Sequence, residues 1–348
     1  MCALKKNSYI TLLAGIAFFI LLFVFSEEIL AGINLGLLNC VRIIIPSLFP
    51  FLIASSLAGC GELPKPLKKL FEPVTQLLFR LPADILPAVF LGLFGGYLSG
   101  AKAIQTLCSN GIISKSQAER ALLFCINAGM GFSINAVGNA MLCSRKAGKI
   151  LFLSLCVSSL FIGIISRFLP DSSISSEKIK INPPLSFSSA VVNSVNSASQ
   201  AMLIACGFVV AFSGIGAVSD GYIKNEILRY FISCLSEVTK GCTDITGKAS
   251  LPIFAAVCAF GGICVHMQIF SFNIETKPLR FYSFRILHSV TAYAICRAVT
   301  HFYPVERTVF LEFSQNVKAF SFSAPAAISL LFLCFLLILD LDNNKKIC

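Results

Sequence analysis

Charged residues are scarce in this chain, and their scarcity indicates its class. Only 13% of the 348 residues are Asp, Glu, Lys or Arg, whereas 56% are hydrophobic and the mean hydropathy is +0.82. A soluble chain of this length would need more polar surface to cover its domains. The composition therefore excludes an ordinary soluble protein. It predicts an all-α polytopic membrane protein that has the lipid bilayer as a partner.

Motifs that bind metals, cofactors or nucleic acids are missing from the sequence. The three histidines show no H-E-x-x-H spacing, and the fifteen cysteines contain no C-x-x-C pair. No nucleophile–base arrangement, paired-carboxylate motif or phosphate-binding glycine loop occurs either. The formal charge of +11 comes mostly from Lys and Arg that flank apolar runs, where basic residues set membrane topology. We therefore expect no enzyme: no catalytic residues, no metal, no cofactor and no nucleic-acid partner.

Two stretches of the sequence share one pattern. They are 83–110 (ADILPAVFLGLFGGYLSGAKAIQTLCSN) and 249–273 (ASLPIFAAVCAFGGICVHMQIFSFN). Each has Leu-Pro near its start, an apolar run that ends in Phe-Gly-Gly, and a second apolar run that closes on Asn. A glycine pair in the middle of a run long enough to cross a bilayer predicts a re-entrant hairpin or a discontinuous helix.

The elements around these stretches recur as well. We predict two repeats, each made of a span, an interfacial amphipathic helix, a re-entrant hairpin, an interrupted helix and a second span, after one extra N-terminal span. The predicted divisions are an N-terminal transmembrane helix at 1–28, a first repeat at 29–168, a linker at 169–193 and a second repeat at 194–342. If the hairpins re-enter rather than cross, each repeat crosses the membrane three times, so the repeats are inverted. Lys5 and Lys6 favour a cytoplasmic N-terminus.

Periodicity and interruptions locate the remaining elements. Segments 64–82 and 222–240 place apolar residues at helical spacing against a charged face, which predicts amphipathic helices lying on the membrane. In INAGMGFSINAVGNAM (126–141), Asn and Gly interrupt the apolar pattern. They predict either an unwound helix that presents carbonyls to a solute or a seam of small residues between helices. The counterpart in the second half is 280–302, and a plain span is predicted at 320–339.

Five motifs carry a resemblance to a known family: IIIPSLFPF, FGGYLSGAK, FCINAGMGF, SEVTKG and FGGICVHMQ. With these the chain resembles the sporulation integral membrane proteins of the YlbJ type, which are related to spore maturation proteins and to the nucleoside recognition or Gate domain. The resemblance implies a gate-type inverted-repeat fold in the cell membrane of a spore-forming bacterium, among other sporulation membrane proteins. The chain departs from the family pattern at Leu98, Ile126, Ala128 and Met130, where the family has Pro, Asn, Ser and Pro.

The candidate binding residues lie at the hairpin tips, on the interrupted helix and after the second amphipathic helix. They are Gly95, Gly96, Ser99, Lys102, Asn127, Gly129, Glu237, Thr239, Gly261, Gly262, His266 and Gln268. Lys102 would anchor an anionic group, form a structural pair with a carboxylate such as Glu237, or snorkel to the interface if the hairpin is shallow. His266 and Gln268 would face Lys102 if the two tips meet, with a histidine satisfied by backbone as the alternative. Glu237 would bind a coupling ion or substrate hydroxyls, or lie solvated at the interface.

Two functions from different classes follow. The first is a gate-type carrier of a small polar solute, driven by a coupling ion. The second is a non-transporting scaffold in a sporulation or spore-envelope assembly complex, which the altered residues at 126, 128 and 130 favour. The residue pattern leaves the solute, the ion and the oligomeric state open.

Overall fold

Every regular element that the structure describes is a helix. The computed structural model describes residues 2–60, 62–169 and 186–304; the predicted last span at 320–339 and most of the predicted linker lie outside these ranges. The helices of the first half are α1 (Cys2–Val24), α2 (Ser26–Ala58), α3 (Lys65–Phe79), α4 (Ala83–Gly95), α5 (Tyr97–Ser109), α6 (Lys115–Leu122), α7 (Gly131–Met141) and α8 (Arg145–Ser166). Those of the second half are α9 (Phe187–Tyr222), α10 (Glu226–Ser236), α11 (Val238–Asp244), α12 (Leu251–Phe260), α13 (Gly262–Phe270) and α14 (Pro278–Phe302).

Several of these helices are long and apolar enough to cross a membrane. Among the described residues, four segments qualify: α2, α8, α9 and the stretch Leu251–Phe270 that contains α12 and α13. The pair α3 and α4 would add a fifth if its two bent helices formed one span. The outer faces of these helices expose large apolar side chains, such as Phe161, Leu203 and Ile253. The protein is therefore a multi-pass membrane protein of helical class.

The two amphipathic helices predicted from periodicity are present. Helix α3 buries only Thr75 and Phe79 and exposes Leu70 and Leu77, and it meets α4 at an angle of 86°. Helix α10 likewise buries little, but it ends at Ser236, where the prediction had continued the helix to residue 240. An extended Glu237 separates it from the short helix α11.

Both glycine pairs break their helices, as the sequence predicts. Gly96 separates α4 from α5 with a φ of +110°. Gly261 and Gly262 separate α12 from α13 with φ values of +89° and +77°. Residues with a Cβ rarely adopt these backbone conformations, which is why glycine occupies the breaks.

The predicted interrupted helix appears in the first half and is missing from the second. Helix α6 ends at Leu122 and α7 begins at Gly131, and residues 123–129 (LFCINAG) between them have no helical structure. The corresponding helix α14 continues unbroken for 25 residues, so the predicted interruption there is wrong. Helix α14 contains no glycine, and its polar side chains can be accommodated without unwinding the backbone. Another boundary differs as well: α9 begins at Phe187, inside the predicted linker.

Helix α2 of the first half packs against α9 of the second half over a seam of small residues. A Cβ on Gly32 of α2 would lie 2.4 Å from the carbonyl oxygen of Ser213 in α9, and one on Gly36 would lie 2.9 Å from the Cβ of Ser213. Contacts this close bring the two backbones together, as small residues do between membrane helices. This seam and the packing of α8 against α14 and α12 hold the two halves in contact.

Candidate functional site

The unwound segment after α6 lies between the two arms of the first hairpin. A Cβ at Gly92 of α4, or at Gly100 of α5, would lie 1.8 Å from the carbonyl oxygen of Cys125. Farther along, a Cβ at Gly129 would lie 2.8 Å from the backbone of Gly95 and Gly96. Only glycine permits such contacts, so these positions let the unwound backbone lie directly on the hairpin.

The tips of the two hairpins meet. The hydroxyl of Tyr97, at the tip of the first hairpin, donates a hydrogen bond to the carbonyl of Cys258 in α12. A Cβ at Gly261 would lie 3.2 Å from the Tyr97 ring. Gly262 approaches Glu237 in the same way, since a Cβ there would lie 3.3 Å from the Glu237 Cα. The two breaks and the turn at Glu237 therefore form one junction.

A cavity of about 70 Å³ lies beside this junction. Its walls come from the proline-containing part of α2, the first hairpin tip, the start of α7, the turn at Glu237 and α13. Six of the predicted site residues line it: Gly95, Gly96, Gly129, Glu237, Thr239 and Gln268. A water molecule needs about 10–15 Å³ of such volume, so the cavity has room for a few waters or a small hydrated ion.

Glu237 is the charged group of the cavity. Its side chain is 4% exposed, and its carboxylate accepts the backbone N–H groups of Thr239 at 2.9 Å and Lys240 at 2.6 Å. The ammonium group of Lys240 is directed elsewhere, to Asp220 at 2.7 Å and Asp244 at 3.0 Å. The carboxylate therefore caps the start of α11 and faces the cavity without an ion-pair partner in the described part of the chain.

Three more polar groups border the cavity. The Gln268 amide nitrogen donates to the carbonyl of Ala205 at 3.4 Å and to the sulfur of Cys264 at 3.3 Å. The Ser47 hydroxyl donates to the Ile43 carbonyl at 2.6 Å, within the part of α2 that Pro46 and Pro50 disturb. Thr239 lines the same cavity. The cavity is thus lined by one carboxylate, that of Glu237, and by three neutral side chains that carry oxygen: Gln268, Ser47 and Thr239.

Lys102 and His266 are two of the six predicted residues that do not line the cavity; the others are Ser99, Asn127, Gly261 and Gly262. Lys102 is 7% exposed, and its ammonium group donates to the Gln105 side chain at 2.9 Å and lies 5.7 Å from the centre of the Phe272 ring, with no bond to Glu237. His266 is fully buried, and its Nε2 bonds the carbonyl of Phe260 at 2.8 Å at the end of α12. The backbone thus holds one ring nitrogen of His266, while its Nδ1 has no hydrogen-bond partner among the described residues.

Ser99 and Asn127 are buried without hydrogen bonds. Both are 0% exposed, and neither the Ser99 hydroxyl nor either polar atom of the Asn127 amide has a partner within the described ranges. Neither residue lines the cavity. Orphaned buried groups of this kind are uncommon and costly, at about 1–3 kcal/mol each.

Arg285 is a structural centre of the junction that the sequence-based site did not include. Its guanidinium, 1% exposed, donates to the carbonyls of Leu123 at 2.8 Å, Ile126 at 3.0 Å and Ala259 at 3.3 Å. The carbonyls of Leu123 and Ala259 stand at the ends of α6 and α12, where backbone acceptors lack helical partners and the helix dipole is negative, and that of Ile126 lies in the unwound segment. The sequence feature that could have identified Arg285 is its position within an apolar helix, because an arginine there needs a buried partner.

No cluster of three or more His, Cys, Asp or Glu side chains that could hold a metal ion occurs within 2–60, 62–169 and 186–304. The chemistry available at the junction is therefore that of one carboxylate, hydroxyl and amide groups, and main-chain polar atoms at the breaks. Such groups bind polar solutes or cations by hydrogen bonds and electrostatics.

Comparison with known proteins agrees with the resemblance inferred from the motifs. No family model matches the chain, and no solved structure matches it. The sequence is 23% identical, over 305 aligned residues, to the sporulation integral membrane protein YlbJ of Bacillus subtilis (strain 168). The alignment covers 74% of each protein. The chain, a multi-pass helical membrane protein with paired helix breaks, is thus similar to a sporulation integral membrane protein over most of its length.

Proposed function

We propose that this protein is a gate-type membrane carrier of a small polar solute that acts in sporulation. The observation that supports this proposal most directly is the cavity that is lined by the first hairpin tip, the end of the unwound segment, the turn at Glu237 and α13. Discontinuous helices in transporters commonly place their binding sites at such breaks, because unwound backbone offers polar groups inside the membrane. The similarity to YlbJ supports the link to sporulation.

The repeat architecture supplies a means of movement. In this proposal α2 to α8 form one repeat, and α9 to α14 with the following segment form the other. Re-entrant hairpins would leave three crossings in each repeat, which inverts one relative to the other. Alternating access would then come from movement of the hairpins against the α2–α9 seam. A cavity of about 70 Å³ is too small for a nucleoside-sized solute, so it would have to enlarge during such a movement.

Flux measurements in proteoliposomes test the carrier. The wild-type protein would be compared with an E237Q/Q268A variant for uptake of amino acids, dicarboxylates, nucleosides and divalent metal ions. We expect at least one solute to be transported, and its flux to fall about tenfold or more in the variant. The E119Q variant is the matched control, because Glu119 is an equally buried carboxylate that pairs with Arg280 away from the cavity. Equal flux in the wild type and the cavity variant would contradict the proposal.

A scaffold in a sporulation or envelope assembly complex is the second candidate. It is favoured by Ile126, Ala128 and Met130 in the unwound segment and by the unpaired Asn127 amide, which lies outside the cavity. A scaffold needs its surface and fold but not a polar cavity. Full restoration of spore formation by E237Q/Q268A in a deletion strain would support the scaffold, whereas loss of sporulation with a folded protein in the membrane would support the carrier.

A further inference from the structure

The cavity is lined by one acidic side chain and by no basic one from the described residues. The acidic side chain is that of Glu237. The carboxylate is 4% exposed, so water cannot fully solvate it. A buried charge of this kind is costly unless it is paired or protonated.

The positive charge of Lys240 acts on Glu237, but its ammonium group bonds other carboxylates, and the remaining groups around Glu237 supply no counter-charge. The titratable side chains that interact with it from neighbouring helices are Cys40 of α2, Tyr97 of α5, Cys242 of α11 and Cys264 of α13. None of these can carry a positive charge. Lys240 lies nearby on α11, but its ammonium group is already shared by Asp220 and Asp244.

Neutral oxygen donors stand around the same space. The Thr239 and Ser47 hydroxyls, the Gln268 amide and the backbone at the first hairpin tip all border the cavity. Oxygen is the ligand atom that Na⁺ and other hard cations prefer. A volume of about 70 Å³ accommodates one such ion with a few waters.

From these observations we propose that the cavity is a binding site for a monovalent cation, represented by Na⁺, with the Glu237 carboxylate as its anionic ligand. One carboxylate balances one monovalent charge, whereas a divalent ion would leave a net positive charge in an apolar surrounding. The role of this cation as the coupling ion of a carrier rests on the proposed function. Its binding can nevertheless be measured without any solute.

Thermal unfolding of the purified full-length protein tests the site. The protein would be placed in nanodiscs, and the unfolding midpoint measured in chloride salts of Na⁺, K⁺, Li⁺ and choline at constant ionic strength and one near-neutral pH. We expect Na⁺ to raise the midpoint saturably relative to choline, because an ion that binds only the folded state stabilises it. The shift should persist in E119Q and disappear in E237Q.

Second variants keep the test decisive if E237Q does not fold. T239V and Q268L each remove a neutral oxygen, and each should raise the half-saturating Na⁺ concentration about tenfold, the equivalent of about 1.4 kcal/mol. A wild type that no cation stabilises more than choline would overturn the proposal, as would a Na⁺ shift retained in E237Q. If the unfolding midpoint depended on pH but not on Na⁺, a proton would be the group that neutralises the Glu237 carboxylate. That result would also overturn the proposal.

The outcome is separable from that of the transport experiment. Na⁺-dependent stabilisation without solute flux would contradict the carrier and leave the cation site intact. Solute flux without any cation effect on stability or rate would contradict the cation site and leave the carrier intact.

Discussion

Single glycines determine how closely the unwound segment approaches the first hairpin. Gly92 and Gly100 lie on either side of the Cys125 carbonyl, and no side chain fits between them. Gly207 of α9, by contrast, has open space around the position of a Cβ. The two kinds of glycine look alike in the sequence and differ entirely in their surroundings.

Substitution of Gly100 by alanine should therefore be costly, while the same change at Gly207 should not. The new Cβ of G100A would meet the Cys125 oxygen at 1.8 Å, so the backbone must shift, at a cost of about 1–3 kcal/mol or more. G207A should be neutral or stabilising by up to about 1 kcal/mol, because alanine favours helix. Thermal or denaturant unfolding in detergent measures the stability of both variants. Equal stabilities of G100A and G207A would show that the unwound segment does not pack against Gly100 as described.

Arg285 is the other residue on which the junction depends. Replacement by glutamine should leave at least two of its three backbone acceptors unpaired, at a cost of about 3 kcal/mol or more in unfolding free energy. Arg297 lies on the same helix and is exposed, so R297Q should change stability by no more than about 0.5 kcal/mol. Unfolding midpoints of the two variants, compared with the wild type, check this expectation. A similar small loss in both would mean that Arg285 does not hold the breaks together.

At the scale of elements, the two amphipathic helices differ in charge. Helix α3 presents exposed Lys65 and Lys69 beside apolar Leu70 and Leu77, while its Lys68 is taken up by Asp84 at 2.6 Å. The exposed part of α3 therefore combines free positive charge with apolar surface, which is the pattern of a helix attracted to anionic lipid. Helix α10 has a more balanced set of charges.

We expect K65Q/K69Q to weaken the preference of the protein for anionic lipid. Each lysine near an anionic surface contributes about 1 kcal/mol, so the stabilisation by phosphatidylglycerol over phosphatidylcholine nanodiscs should fall by about 2 kcal/mol. K224Q/R229Q at α10 is the matched control, with the same loss of charge on the other amphipathic segment. An equal effect of both double variants would point to net charge rather than to α3.

At the scale of the whole molecule, the proposed repeat architecture assigns one order of elements to both halves. In this proposal a span, an amphipathic helix, a broken hairpin and a long helix follow one another twice, and the structure packs α2 against α9. Between α3 and α10, the chain passes through the interrupted pair α6 and α7, then α8 and α9. Three crossings at that point would place α3 and α10 on opposite faces of the membrane.

Epitope tags provide a direct check of this topology. One tag would be inserted in the connection at 62–64 of the full-length protein, and another, in a second full-length variant, at 223–225. With inverted repeats, the first should be reached from the cytoplasm and the second from outside, in line with the basic character of α3. Tags that are reached from the same side would exclude inverted repeats. They would show that a hairpin crosses the membrane or that the interrupted helix does not.

The sequence by itself determined the class of the protein, the positions of most helices and the sites where helices break. These properties are local. A long apolar run needs a lipid surrounding, and apolar residues at helical spacing define an amphipathic face. A glycine that adopts a positive φ ends a helix whatever the position of the rest of the chain. The second half shows the limit, because α14 runs unbroken where its counterpart is interrupted. A polar side chain within an apolar helix can be paired by distant carbonyls instead of unwinding its own helix, as Arg285 shows.

Only the tertiary structure decided which polar residues share a cavity. His266 and Gln268 stand two positions apart on α13, and residues at that spacing point to different sides of a helix. Gln268 therefore lines the cavity while His266 bonds to the end of α12, and Lys102 turns toward Phe272. The rotation of each helix about its axis is set by packing against its neighbours, through contacts such as Gly129 on Gly95 that join distant parts of the chain. That rotation is what leaves Glu237 alone in the cavity with neutral oxygens around it.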